Sequence, residues 1–340
     1  MLPDIEATWC VHSRIETASC QACVDICPET AWQLDDDGLN LDTELCDGCG
    51  LCAAVCPEMA ISHTYKALLR QRGVFYWAFL ACEKTGLNEE TNALIPCVHA
   101  LGLRALLELH QQGMQALFVA VGNCEECSRG EGGFFEDFMA LNQALEDRQL
   151  PQVLLKSLDA ENWLKQSSYQ NMQPSPKVGF DVSRRHFFKQ GLQQGAHHVG
   201  KTVGFLEEIT KQMPPSVGTL LPEQTGILPF VPVISAEHCI GCDACIKLCP
   251  HQAITLDGNN YLIDAKQCSG CLICVDVCEN QAINIEQWIL PEITTISLET
   301  KRCRRCGAPF HRPKIDQITG ELCPICLQVN HHQNLFQVFK

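Results

Sequence analysis

Residues 239–250 read CIGCDACIKLCP and residues 268–279 read CSGCLICVDVCE. Each contains the run Cys-x2-Cys-x2-Cys-x3-Cys, first at Cys239, Cys242, Cys245 and Cys249, then at Cys268, Cys271, Cys274 and Cys278. The same run occurs earlier at Cys46, Cys49, Cys52 and Cys56. A fourth copy is stretched at its first step, with nine residues between Cys10 and Cys20 before Cys23 and Cys27. Seven cysteines from Cys20 to Cys56 map onto seven from Cys242 to Cys278 at one offset, 222 residues. The segment between keeps step, Pro28-Glu-Thr-Ala-Trp-Gln-Leu-Asp answering Pro250-His-Gln-Ala-Ile-Thr-Leu-Asp. Identical register across seven cysteines marks a duplicated module.

The spacing has a physical reason. Three thiols on one tight turn reach three corners of an iron–sulfur cube, but the chain cannot fold back sharply enough to reach the last. The fourth thiol is therefore borrowed from a partner run, so two runs jointly hold two cubes. Zinc is a poor alternative, because its sites pair two CxxC knuckles and do not use three cysteines in seven residues. On these motifs the two regions resemble bacterial dicluster ferredoxins, over about 110 residues of the chain. The resemblance implies two ferredoxin-like modules and four [4Fe–4S] clusters. It assigns Cys10, Cys20, Cys23 and Cys56 to one cluster and Cys46, Cys49, Cys52 and Cys27 to the next. In the later module it pairs Cys239, Cys242 and Cys245 with Cys278, and Cys268, Cys271 and Cys274 with Cys249. Two departures from the pattern stand out. The loop after Cys10 is long, and Glu279 stands where Pro28, Pro57 and Pro250 follow the other runs. The glutamate is expected to loosen its turn without removing a ligand.

The whole chain has 340 residues, of which 24 are cysteine and 46% are hydrophobic, enough for ordinary cores and too many for disorder. Tight cysteine sets are the pattern of metal sites in a reducing compartment rather than of disulfides, so a cytoplasmic protein is expected. Acidic residues outnumber basic ones by 40 to 25, a formal charge of −15, which argues against nucleic acid as a partner. The longest apolar run, Val74–Cys82, has nine residues and is too short to span a bilayer. The opening MLPDIEATWC carries no basic-then-apolar leader, so no secretory signal is expected.

Residues 72–165 alternate in pattern. Val74–Ala81, Leu117–Val121 and Val153–Leu158 read as strands, and Val98–Gln111 and Phe134–Leu145 as helices. That order predicts a small parallel α/β domain. It carries Cys82, Cys97, Cys124 and Cys127. Cys82 and Cys97 could be ordinary buried small hydrophobes. Against this, Cys82 and Cys124 fall at carboxyl ends of strands, the rim where α/β folds bind ligands. Cys97 falls just before a helix whose dipole would favour thiolate. The order of parts, ACEKTG and then PCVHALGLRALLELHQQGMQALFVAVGNCEEC, resembles the small iron–sulfur subunit of methyl-viologen-reducing hydrogenases. That resemblance implies a further cluster on these four cysteines, [2Fe–2S] or [4Fe–4S].

Residues 166–232 are rich in Gln, Gly and Pro and read as a linker around one helix, from an N-cap near Ser183 to about Met213. Within it, Ser183-Arg-Arg-His-Phe-Phe-Lys189 mimics a twin-arginine export motif. No apolar stretch follows it, so it reads as a basic first helical turn. Last come Cys303, Cys306, Cys323 and Cys326, two CxxC knuckles suited to tetrahedral Zn²⁺ in a ribbon too small to fold without metal. The knuckles also resemble rubredoxin, which holds one iron, but its aromatic core is missing and zinc is favoured. Lys301, Arg302, Arg304 and Arg305 surround them with basic charge.

Eight, four, eight and four cysteines use all 24, leaving none for a disulfide or a nucleophile. His197, His198, His251, His331 and His332 form no acid–base pattern, and no Gly-rich phosphate loop follows a strand, so no catalytic residue and neither flavin nor nicotinamide is expected. The reading is thus an α+β multidomain chain. Dicluster ferredoxin modules occupy 1–65 and 233–290, a small parallel α/β domain 72–165, a linker with helix 166–232, and a zinc ribbon 298–330. The expected function is electron transfer as a wire subunit of a redox complex, with the central cluster joining the two halves. A hydrogenase or a molybdenum or tungsten formate dehydrogenase is the expected partner. The alternative is a cytoplasmic accessory protein that matures another metalloenzyme, in the manner of the polyferredoxins near nitrate reductase.

Overall fold

The computed structural model describes residues 2–35, 38–88, 91, 93–130, 132–168, 173–174, 213–314 and 322–328. The predicted linker helix over Ser183–Met213, with its Arg184-Arg185 pair, falls outside the described residues except for Met213. The chain divides into two compact units, 1–16 with 20–226 and 17–19 with 227–340.

The first unit opens with β1 (Asp4–Ile5), α1 (Ala22–Asp25), β2 (Trp32–Asp35), β3 (Gly38–Leu41), α2 (Leu51–Val55) and β4 (Ile61–Ser62). The hairpin β2–β3 pairs Trp32 with Leu41 and Asp35 with Gly38, while β1 and β4 pair Ile5 with Ile61. Trp32, Cys52 and Ile61 are the buried centre of this part.

A larger sheet follows, built from β5 (Leu68–Arg72), β6 (Phe75–Cys82), β7 (Leu94–Ile95), β8 (Met114–Ala120), β9 (Leu154–Ser157) and β10 (Gln173–Pro174). Its order is β10-β5-β6-β8-β9, with β7 also on β6. The three strands expected from the apolar runs are mutually parallel, but β5 runs antiparallel to β6 and β10 antiparallel to β5, so the sheet is mixed. The reason is local. Arg72 pairs directly with Phe75 across Gly73 (φ 63°), and so short a connection can join only antiparallel strands. Helices α3 (Leu103–Gln111), α4 (Phe134–Asp147) and α5 (Ala160–Ser167) complete the unit. Phe79 stacks on Phe118 at 4.8 Å, and Trp163 of α5 meets Phe79 edge-on at 6.0 Å while donating its Nε1–H to Phe118 O.

The second unit repeats the first module's plan. Strands β11 (Val231–Ile234) and β14 (Ile283–Glu286) pair Ile234 with Ile283, and the hairpin β12 (Ile254–Asp257)–β13 (Asn260–Ile263) pairs Ile254 with Ile263 and Asp257 with Asn260. These hairpin pairs are the β2–β3 pairs displaced by the sequence offset. Short helices at Ala244–Leu248 and Ile273–Asp276 follow the cysteine turns. Strand β15 (Thr295–Arg302) pairs with β13 on one side and β16 (Pro309–Pro313) on the other. The strands that lead to the last two knuckles therefore extend the module's own sheet, and Ile296 and Leu298 join its core of Ile254, Tyr261 and Ile263. No helix among the described residues is long and apolar enough to cross a membrane.

Candidate metal centres

Three cavities are walled by cysteines in the combinations expected from exchange of the fourth thiol. One holds Cys239, Cys242, Cys245 and Cys278, beside Ile234 and Tyr261. A second holds Cys249, Cys268, Cys271 and Cys274, beside Ile254 and Ile273. The third holds Cys27, Cys46, Cys49 and Cys52, beside Trp32 and Leu51. The remaining four also converge: burial pushes the Cys23 thiol up to about 12, and Cys56, Cys20 and Cys10 then act on it. Neighbouring quartets lie within electrostatic reach, since Cys274 also feels Cys245 and Cys23 feels Cys52.

Cys10 keeps its place despite the long loop. It follows Ile5 by five residues, as Cys239 follows Ile234. The Glu6 N–H donates to Ala60 O at 2.8 Å, just as the Ser235 N–H donates to Ala282 O at 2.7 Å. The extra residues after Cys10 form a loop with one 3-10 turn, Val11–Ser13.

Left-handed backbone curls these loops. Gly48 (φ 70°) and Gly50 (81°) do so in one run, Gly241 (73°) and Asp243 (63°) in the next, and Gly270 (81°) and Leu272 (66°) in the third. For Asp243 and Leu272 that conformation costs roughly 1 kcal/mol each, offset by bringing three thiols to one point. After each run the third residue is left-handed too: Thr30, Met59, Gln252 and Gln281, with φ 48–57°.

The loosening expected at Glu279 does not occur. The Gln281 N–H donates to Cys278 O at 2.9 Å and the Ala282 N–H to Cys278 Sγ at 3.2 Å. These match Ala31 N–H to Cys27 Sγ (3.4 Å) and Ala253 N–H to Cys249 Sγ (3.3 Å). The turn is held by backbone bonds, and proline only pre-sets it. Ala31, Ala60, Ala253 and Ala282 are all buried, and the signal for them, Cys-x3-Ala before Trp or Ile, stands in four copies in the sequence.

In the central set, Cys82 and Cys97 are buried while Cys124 and Cys127 are half-buried. Cys97 lies in electrostatic range of Cys82 and Cys124. Cys127 shares the Cys124 turn, its N–H donating to Cys124 O at 3.2 Å. The expected helix-dipole effect on Cys97 is corrected: burial pushes its thiol up to about 11. Only a 3-10 turn, Val98–Ala100, follows it, and α3 starts at Leu103. Gly102 breaks the pattern because it presses on α2, where a Cβ would come 2.4 Å from Ala54 O.

Three residues here were not foreseen. Arg129, buried, donates to Asp47 (2.5 Å), to Glu83 (2.7 Å) and to Pro96 O. It thereby ties the Cys46–Cys49 turn to the residue after Cys82. The Tyr65 hydroxyl, buried with no hydrogen-bond partner among the described residues, rests on Gly50. His99, also buried, has both ring nitrogens unpartnered among those residues. Cys97 packs with Cys49 and Leu51, so the central set abuts the Cys27/Cys46/Cys49/Cys52 quartet.

The last four cysteines behave differently. The Sγ atoms of Cys303, Cys306, Cys323 and Cys326 all lie within 4.8 Å of one another, with Cys306 and Cys323 at 3.8 Å. A tetrahedron with Zn–S near 2.3 Å requires S···S of about 3.8 Å. The four thiols thus fit one ion, whereas thiols on separate corners of a cube must stand farther apart. Gly307 (φ 72°) closes the first knuckle, Phe310 backs it, and the Cys323 N–H donates to Cys303 Sγ at 3.3 Å.

Comparison with known proteins bears on the cysteine runs of the two modules. Residues 8–30 and 39–62 each match the family described as 4Fe-4S binding domain, and residues 238–283 match the 4Fe-4S dicluster domain. These are ferredoxin-type domains. The chain is therefore a metal-binding, iron–sulfur protein of electron transport, with its ferredoxin-type domains repeated. It is similar to hydrogenase-4 component A of Escherichia coli (strain K12), 33% identical over 108 residues, 32% of this chain and 47% of that protein. It is also similar to Ferredoxin 7Fe of Hydrogenibacillus schlegelii, 40% identical over 42 residues, 12% of this chain and 54% of that one. The chain spans about half the length of the curated relatives it matches.

Proposed function

We propose that the chain is a multicluster wire, the electron-carrying subunit of a larger oxidoreductase of hydrogenase or formate dehydrogenase type. What supports this reading is that three cavities are each lined by three cysteines of one run and the last cysteine of its partner run, and that Cys56 acts on Cys23 in the same way. Bound there, four [4Fe–4S] clusters supply one-electron transfer. The chain's part is to keep water away with Trp32, Ile254 and Ile283, and to aim the N–H groups of Ala31, Ala253 and Ala282 at cysteine sulfur. Such donors stabilise added negative charge and raise the potential.

In the same reading Cys82, Cys97, Cys124 and Cys127 hold one further [2Fe–2S] or [4Fe–4S] cluster, adjoining the first module. Cys303, Cys306, Cys323 and Cys326 hold one structural Zn²⁺, or an iron in its place. The domain limits follow the cysteine sets, and the site of action is the reducing cytoplasm. Similarity to a hydrogenase component supports a protein redox partner of that kind.

The test is reduction of the anaerobically purified chain followed by EPR spin counting. About four reducible cubes are expected, and far fewer would refute the wire. Deleting the chain separates the wire from the accessory alternative. Loss of a wire leaves the partner enzyme with its cofactor but uncoupled from its acceptor, whereas loss of a maturation factor leaves that enzyme without cofactor.

A further inference from the structure

The two modules share hairpin register and turn geometry but differ at three neighbouring positions. Gly241, Asp243 and Tyr261 stand where the first module has Ser19, Gln21 and Leu39. All three meet strand β16. The strand runs so close that a Cβ on Gly241 would come 2.1 Å from His311 O and 3.1 Å from Arg312 Cα. It also delivers the His311 ring, whose Nε2 lies 2.8 Å from Asp243 Oδ1. The Tyr261 hydroxyl donates to the same oxygen at 2.6 Å. An ionised carboxylate only accepts, so Nε2 carries the hydrogen and Asp243 receives two donors. Asp243 and Tyr261 both line the cavity of Cys239, Cys242, Cys245 and Cys278.

We propose that His311 is a positioning residue for this centre: by holding Asp243 against Tyr261 it sets the centre's reduction potential, and the four-cysteine element that carries β16 governs that setting. The inference rests on the reading of Cys239, Cys242, Cys245 and Cys278 as [4Fe–4S] ligands. A carboxylate beside a group that gains an electron opposes the gain. Two donors on Oδ1 share its charge and weaken that opposition. The first module has Gln21 and Leu39 at the two matching positions, and its equivalent quartet instead feels the buried Glu58 through Cys10.

The experiment is a redox titration of the full-length, anaerobically purified chain, followed by EPR, alongside iron analysis. Asp243→Asn removes the charge and raises the midpoint of one of the four centres. His311→Leu leaves the carboxylate with one donor fewer and lowers the same midpoint, and His311→Gln, which keeps an N–H, restores it. A charge-assisted hydrogen bond of about 1.4 kcal/mol corresponds to a tenfold change in reduced-to-oxidised ratio, or about 59 mV for one electron. Cys306→Ser, distant from the cavity along the chain, lowers that midpoint in the same sense as His311→Leu. Shifts of one sign in Asp243→Asn and His311→Leu, or no shift, with iron at the wild-type level, overturn the inference and leave the four-cube reading intact. Wild-type iron well short of four cubes defeats the underlying reading instead.

Discussion

Arg129 shows how a single side chain can join two sites that the sequence keeps apart. Its guanidinium is 6% exposed, while its partners Asp47 and Glu83 are 30% and 39% exposed. Removing one partner of a fully buried pair costs roughly 3–5 kcal/mol and of an exposed pair roughly 0–1. Arg129→Met is therefore expected to destabilise the first unit by about 2 kcal/mol, read as a lower thermal midpoint of the metal-loaded chain. Asp47→Asn in that background recovers part of the loss, because an unpaired carboxylate is gone; no recovery would contradict the assignment. Asp137 offers the opposite case. Its carboxyl accepts the Leu103 N–H at 2.9 Å, yet burial pushes its pKa up to about 6. Folded protein then binds a proton that unfolded chain releases near pH 4, so stability falls as pH rises from about 4 to 6 and stays low above. Asp137→Asn should stabilise the chain by up to about 2 kcal/mol at pH 8 and by less at pH 5, seen in thermal melts. An equal gain at both pH values would show that the carboxyl is not titrating there.

Among the elements, those set by short-range pattern were legible and those set by contact were not. The cysteine runs and the paired hairpins follow from local spacing, and the parallel strands β6, β8 and β9 from apolar runs. Strand β5, with the sequence LLRQR, offers no such run and exists because β6 lies two residues away. Likewise the leucines of VHALGLRALLELHQ keep helical spacing through Gly102, but α2 packs into that position and starts α3 afresh. Cys10 was hard to place because the two-residue strand β1 that positions it is too short to leave a pattern. Arg129, Tyr65 and His99 were invisible for a related reason: each acts across the join between α2 and the sheet. Gly102→Ala tests that join. The added methyl meets backbone, which cannot swing aside, so a cost of about 1–3 kcal/mol is expected. Iron loss should also be faster from the centre proposed at Cys27, Cys46, Cys49 and Cys52 than from the two proposed in the second unit. Uniform iron loss would mean the join does not support that quartet.

At the scale of the whole molecule, the duplicated module is the organising fact, and each copy carries a different addition. The first is followed by a mixed sheet with four more cysteines, and the second extends its own sheet to a four-cysteine element with single-ion sulfur spacing. No thiol of the 24 falls outside these sets. The central claim is that sixteen of those thiols hold iron–sulfur cubes. Iron and acid-labile sulfide, measured together on the anaerobically purified chain, test it most directly. The account predicts about sixteen atoms of each from the two modules, plus whatever the central set adds. Iron well short of sixteen, or titratable free thiols among residues 10–56 and 239–278, would contradict it.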